Sequence, residues 1–200
     1  MSDDPKLRKL VEEARRGEPT ALQAVYEEFA PRIFNFIFRV LGSKEDAEDV
    51  AQQTFLIVLR QLGTLRDPAQ LESWIYRIAR NEIYQRFRRK KVASLDDEES
   101  ERDSRGLEEH SLSAQPEKLL LNLELGQVLQ TVLDNLPVKL REVFILAVVQ
   151  EMSYQAITEI VGRSLLSVKT DIYRARLQVK EELRKYLGEG YKPTSKAESK

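Results

Sequence analysis

Apolar residues recur every three or four positions along almost the whole chain, and no stretch alternates apolar with polar residues as a half-buried strand would. That periodicity restricts the chain to an all-α fold. Leu22, Val25, Phe29, Ile33, Phe36 and Val40 fall on one helical stripe, with Pro31 inside it predicting a kink or a new helix. After Gly42 a second helix is predicted, with Ser43 as N-cap, Asp46 three positions on in a capping-box-like arrangement, and Ala47, Ala51, Phe55, Val58 and Leu62 as its apolar stripe. Gly63 ends it, Asp67-Pro68 marks a loop, and a third long helix is predicted from near Gln70.

The pattern breaks once. From Ala93 to Gln115 the chain is rich in Ser and acids, with too few apolar side chains to offset the entropy of ordering. Helical spacing resumes after Pro116, where Leu121, Leu125, Val128, Val132 and Leu136 form a stripe. Pro137 and the apolar run Val143 to Val149 follow, then two helices over Ser153 to Val161 and Ser164 to about Leu187. The expectation is therefore two small helical domains, 5–92 and 116–187, joined by a flexible acidic linker, 93–115, with a disordered polar tail, 188–200.

Composition removes most catalytic classes. There is no cysteine and a single histidine, His110, so thiolate zinc sites, disulfides, cysteine nucleophiles and multi-histidine metal sites are excluded. No phosphate-binding glycine loop occurs, and the N-terminal MSDDPKLRKL lacks the apolar core of a signal peptide. No catalytic residue, metal, cofactor or small-molecule substrate is expected, and the expected location is the cytoplasm. With a formal net charge of -1, any nucleic-acid binding must rest on local basic patches.

Two such patches exist. SYQAITEIVGRSLLSVKTDIYRAR has the form of a helix-turn-helix, with Gly162 at the turn and Ser164 able to cap the next helix. Leu165, Val168, Ile172, Ala175 and Val179 are its predicted buried stripe, which leaves Leu166, Ser167, Lys169, Thr170, Tyr173 and Arg174 outward. A solvated helical hairpin has the same pattern. The other patch, SWIYRIARNEIYQRFRRKK, puts Leu71, Trp74, Ile75 and Ile78 on one face and Arg77, Asn81, Tyr84 and Arg88 on another, flanked by Tyr76 and Arg80. Aromatics interleaved with cations suit single-stranded nucleic acid, although Trp74 fits a core position equally well and the helix dipole alone favours terminal cations. In SKEDAEDVAQQTF the first-turn acids are explained by the dipole, and a protein-docking face is the open alternative. The acidic linker reads as a solvated tether or as a mimic of a nucleic-acid strand.

Taken together, these segments resemble the sigma-70 family, in its small extracytoplasmic-function class, over both predicted domains. KEDAEDVAQQTFLIVL is similar to the family's polymerase-docking helix, SWIYRIARNEIYQRFRRKK to the helix that melts and reads the minus-ten element, and LPVKLREVFILAVVQEMSYQAITEIVGRSLLSVKTDIYRARLQVKEEL to the domain that reads the minus-thirty-five element. The resemblance implies that Asp46, Asp49, Gln52 and Gln53 bind core RNA polymerase at the clamp coiled coil of its largest subunit. It implies that Leu65, Arg66, Asp67, Gln70, Trp74, Tyr76, Arg77, Asn81, Tyr84, Arg88, Arg89 and Lys90 engage the minus-ten DNA. Arg163, Ser164, Ser167, Lys169, Thr170, Tyr173, Arg174 and Arg176 would read the minus-thirty-five DNA while the same domain contacts the polymerase flap. An anti-sigma factor is the expected controlling partner.

Three positions depart from the family pattern. Gln53 replaces a usual Glu, with slightly weaker docking expected. QEMSY replaces E-G-x-S-Y, predicting a looser turn, and Asp171 stands where a base is usual, predicting repulsion of phosphates and an altered upstream preference. Rival readings are a stand-alone DNA-binding regulator, which leaves the two N-terminal motifs unexplained, a sigma mimic that captures an anti-sigma factor, and an enzyme, which lacks equipment.

Overall fold

The computed structural model describes residues 5–96 and 126–187, all helix and turn with no strand among the described residues. The elements are α1 (Pro5–Arg15), α2 (Pro19–Leu41), α3 (Lys44–Gln61), α4 (Leu71–Asp96), α5 (126–134), α6 (Val138–Phe144), α7 (Tyr154–Val161) and α8 (Leu165–Leu187). Short 3-10 turns, Leu62–Thr64 and Pro68–Gln70, carry the chain from α3 into α4. Most of the predicted linker, the tail, Leu121 and Leu125 lie outside the described residues.

Local chemistry sets the ends. Pro19 opens α2, and Gly42 closes it at φ 75°, its N–H bonding the carbonyl of Phe38. Gly42 is required twice over, because a Cβ there would also lie 2.9 Å from an Asp134 carboxylate oxygen. Ser43 caps α3 by accepting from the Asp46 amide, as the sequence predicts. No new helix begins at Pro31. The carbonyl that its missing N–H deprives is that of Glu27, and both residues are exposed, so water can take the bond. At its far end α4 continues to Asp96, so the first four residues assigned to the linker are helical.

The predicted stripes meet in the core. Val25, Phe29, Ile33, Phe36 and Val40 of α2 pack with Ala47, Phe55 and Val58 of α3 and with Leu71, Ile75, Ile78 and Ile83 of α4. In the C-terminal half, Val132, Leu133, Val143, Ile145, Leu146, Ile157, Ile160, Val168, Ile172 and Ala175 do the same. Leu165, placed in that stripe by spacing, is instead 40% exposed, one turn ahead of the packed surface.

The two halves are packed together, which periodicity could not foretell. α4 lies against α7, and α2 against α6 and the π turn Ile145–Val149 that follows it. Arg141, 8% exposed, donates to the Val40 carbonyl at 2.7 Å, closing the end of a helix 101 residues away, and to Asp134 and the Leu136 carbonyl. Tyr76 Oη donates to Gln150 Oε1 at 2.8 Å, and Arg80 Nε to Glu142 at 3.0 Å.

Two residues past the π turn stands Glu151, the one non-glycine residue with positive φ among the described residues, at 53°. The turn expected to be looser is closed by Gln150 N to Ile145 O at 2.9 Å and Met152 N to Leu146 O at 3.0 Å. The departure from glycine is absorbed as left-handed strain on an exposed side chain. Glu151→Gly relieves that strain and gives back some unfolded-state entropy. The expected net gain is about 0.5–1 kcal/mol, a rise of a few degrees in thermal midpoint. A lower midpoint would show that the Glu151 side chain makes a compensating contact.

Candidate nucleic-acid interface

On α4 the structure separates the predicted minus-ten residues into two groups. Arg77, Asn81, Arg88, Arg89 and Lys90 are exposed, and Trp74 and Tyr84 are half-buried. Tyr84 lies under Arg80, whose guanidinium is 4.6 Å from the ring centroid, and burial together with the Glu142 charge pushes its phenol up.

Tyr76 is a correction. It is fully buried, edge-on to Phe36 at 5.3 Å, and its hydroxyl is spent on Gln150, so in this arrangement it has no surface to offer a base. α4 is covered by α2 and α3 on one side and by α7 on another, so its buried arc is wider than one stripe. Burial pushes the Tyr76 phenol well above its ordinary range. Leu65 is the second correction: at 5% exposure it plugs the core beneath the loop, while Arg66 and Gln70 stay exposed. Asp67 caps the turn by accepting from the Ala69 amide at 3.0 Å.

Asp46 is the third. Predicted to face a protein partner, it is 4% exposed and ion-paired with Arg86 and Lys90 of α4. Burial alone would raise its carboxyl, but hydrogen bonds and charge from Lys90 and Arg86 outweigh that and hold it below the ordinary carboxylate range. It fastens α3 to the basic end of α4. Asp49, Gln52 and Gln53 do remain outward and border a shallow cleft with Glu82, Arg86 and Arg89. Leu56 and Leu59, exposed on the same helix, were missed by the sequence reading. The run FLIVL carries more apolar residues than the α3 core stripe can use, and that surplus was the available signal.

In the helix-turn-helix, Gly162 takes φ 66° at the turn and Ser164 Oγ accepts the Ser167 amide at 3.3 Å. Lys169, Tyr173, Arg174 and Arg176 are exposed, and Ser167 and Thr170 half-buried. Arg163 is a fourth correction. Its guanidinium is divided between Glu142, at 2.9 Å, and Asp171, and so is turned inward. Asp171 shares the core side with Val168, three residues before it, is 6% exposed and also pairs with Lys139. It cancels Arg163 and does not face phosphates, which overturns the expected repulsion. Asp171→Asn is therefore expected to cost about 1–2 kcal/mol of stability and to leave upstream preference unchanged, checked by a thermal melt beside promoter competition. A changed preference with an unchanged melt would restore the outward reading.

Among the described residues no group of three or more His, Cys, Asp or Glu could hold a metal ion, and no helix is long and apolar enough to cross a membrane.

Comparison with known proteins matches the model of Sigma-70 region 2 to residues 25–92 and that of Sigma-70, region 4 to residues 126–179. The chain is 33% identical to the RNA polymerase sigma factor YlaC of Bacillus subtilis (strain 168), over 82% of this chain and 93% of that one. It is 29% identical to the ECF RNA polymerase sigma factor SigW of the same organism, over 89% of this chain and 97% of that one. Among solved structures, the sigma factor RpoE in complex with the anti-sigma factor NepR from Bartonella quintana shares the fold. The TM-score is 0.70 at 21% identity, covering 81% of this chain and 96% of that one. CnrH in complex with the cytosolic domain of CnrY gives a TM-score of 0.67 at 22% identity, covering 89% and 97%.

Proposed function

This chain belongs to the sigma-70 family, in its extracytoplasmic-function class, and from that premise we propose how its surfaces divide the work of directing RNA polymerase to promoters. The exposed face of α3, with Asp49, Gln52, Gln53, Leu56 and Leu59, docks core polymerase. Arg77, Asn81, Tyr84, Arg88 and Arg89 on α4 hold the melted minus-ten strand, where cations follow phosphates and aromatics stack on bases. α8 enters the major groove of the minus-thirty-five element. The observation that carries this division is the order of the two family segments along the chain, each ending in a helix with an outward basic face. The division into units 5–92 and 116–187 belongs to the same proposal. The protein acts as a non-enzymatic factor in the cytoplasm, where polymerase works.

An anti-sigma factor completes the proposal. A chain of this fold has been captured with an anti-sigma factor, and the closed packing of α4 on α7 is a form that such a partner could hold.

Run-off transcription from a fragmented genomic pool, with bacterial core polymerase with and without the protein, tests the reading. Discrete transcripts that depend on the protein, sharing two upstream elements, are the expected result. No transcripts together with no core binding would overturn it in favour of a sigma mimic or a stand-alone regulator.

A further inference from the structure

α8 has an unusual outward face for a helix that reads DNA. Val168, Asp171, Ile172, Ala175 and Val179 point into the protein. At about 100° per residue, the line opposite them runs through Leu166, Thr170, Tyr173 and Leu177. Leu166 is 76% exposed, Tyr173 64% and Leu177 50%. Cations flank this line on both sides, with Lys169 and Arg176 on one and Arg174 on the other, all exposed. The nearby acid, Asp171, is turned away and neutralised.

Two hydroxyls near the line spend part of their hydrogen-bonding capacity within the protein, while the exposed Tyr173 keeps its phenol for the outside. Thr170 Oγ1 donates its hydrogen to the Leu166 carbonyl at 2.8 Å, so the side chain has its methyl and only acceptor capacity left to offer. Ser164 Oγ accepts the Ser167 amide, and Arg163 is held by Glu142 and Asp171. No amide or guanidinium side chain lies on the line itself, so it lacks the bidentate groups that distinguish guanine or adenine. A helix in the major groove presents its outermost line to base edges and its flanks to the two phosphate strands. The flanks here have the charge for phosphates, and the line sets the aliphatic ends of Leu166, Thr170 and Leu177 beside the Tyr173 phenol. On a base edge the partner for an aliphatic side chain is the C5-methyl of thymine.

We propose that Leu166, with the Thr170 methyl beside it, reads thymine C5-methyl groups in the upstream promoter element, so that specificity at the positions it contacts is apolar. The inference rests on the reading of α8 as the upstream-element helix. It makes Leu166, which lay outside the minus-thirty-five set read from the sequence, a specificity-determining residue.

Deoxyuridine provides the test, because it keeps every hydrogen-bonding group of thymine and removes only the methyl. Holoenzyme assembled from core polymerase and the full chain first selects a promoter from a random pool. Each thymine of the upstream element is then replaced singly, and specific binding is measured by competition. Replacement at the contacted position is expected to weaken binding about fourfold. Leu166→Ala is expected to weaken binding to the thymine promoter and to abolish the difference between thymine and uracil at that position. Leu166 is exposed, so the variant should melt with wild type and bind core polymerase equally well. If no uracil substitution affects wild-type binding, or if the discrimination persists in Leu166→Ala, the inference is overturned. Successful promoter selection in the same experiment separates that failure from failure of the sigma role, which would yield no selected promoter.

Discussion

Replacing Glu142 with alanine is expected to lower the thermal midpoint by about 10 °C. Glu142 is 1% exposed and accepts from Arg80 of α4 and from Arg163 at the helix-turn-helix turn. Removing the carboxylate leaves Arg80 with only the Tyr84 ring and Arg163 with Asp171 alone, in surroundings that are largely shut off from solvent. Breaking a buried pair from one side costs about 3–5 kcal/mol, and a chain of this size loses about 2–4 °C per kcal/mol. The cost arises mainly from the stranded guanidinium. Arg80→Met with Glu142→Leu should therefore recover much of it, since a packed apolar replacement for a buried pair is often neutral. A midpoint for Glu142→Ala within 2 °C of wild type would mean that the halves are not held by this contact in solution.

The triple substitution Arg77→Ala, Arg88→Ala, Arg89→Ala is expected to make promoter binding by the holoenzyme much less sensitive to salt. All three side chains are exposed on α4, so little core packing is lost. A single-stranded phosphate contact contributes about 0.7 to the log–log slope, so three should reduce it by about 2. Between 50 and 200 mM salt the fall in affinity would then shrink by about twentyfold. An unchanged slope would remove this face of α4 from the DNA and leave its cations as helix-end charges. A slope reduced equally for duplex lacking a minus-ten element would place the contacts on non-specific DNA.

Much of the scaffold could be read from local pattern. The stripe Val25 to Val40, the Ser43 cap and the glycine turn at Gly162 all depend on residues within a few positions of each other, and the structure has them as expected. What could not be read depends on partners far along the chain. Tyr76 meets Gln150 74 residues on, Arg80 meets Glu142 62 residues on, and Asp46 meets Arg86 40 residues on. Periodicity assigns a residue to a face of its own helix but does not say how many other helices cover that face. Tyr76, beside Ile75, was therefore placed with the outward residues, although a second layer buries it. Asp46 misled for a different reason: the helix dipole explained it fully, so nothing local pointed to its cations.

The packing of α4 against α7 also limits how far the molecule can reach. Elements named for positions ten and thirty-five lie roughly 25 base pairs apart, about 85 Å along straight duplex at 3.4 Å per base pair. A molecule with its two halves in contact cannot lay one reading helix on each element at once. The 29 residues from 97 to 125 would extend to about 100 Å at most, which is enough to bridge the gap once the halves separate. Promoter affinity is then scaled by the fraction of molecules that are open, and whatever separates the halves raises affinity at both elements together. If the pairs of Arg80 and Tyr76 keep only one molecule in a hundred open, the free protein would read DNA about a hundredfold more weakly than its surfaces allow. Core polymerase, by holding the halves apart, would restore that factor without touching a base.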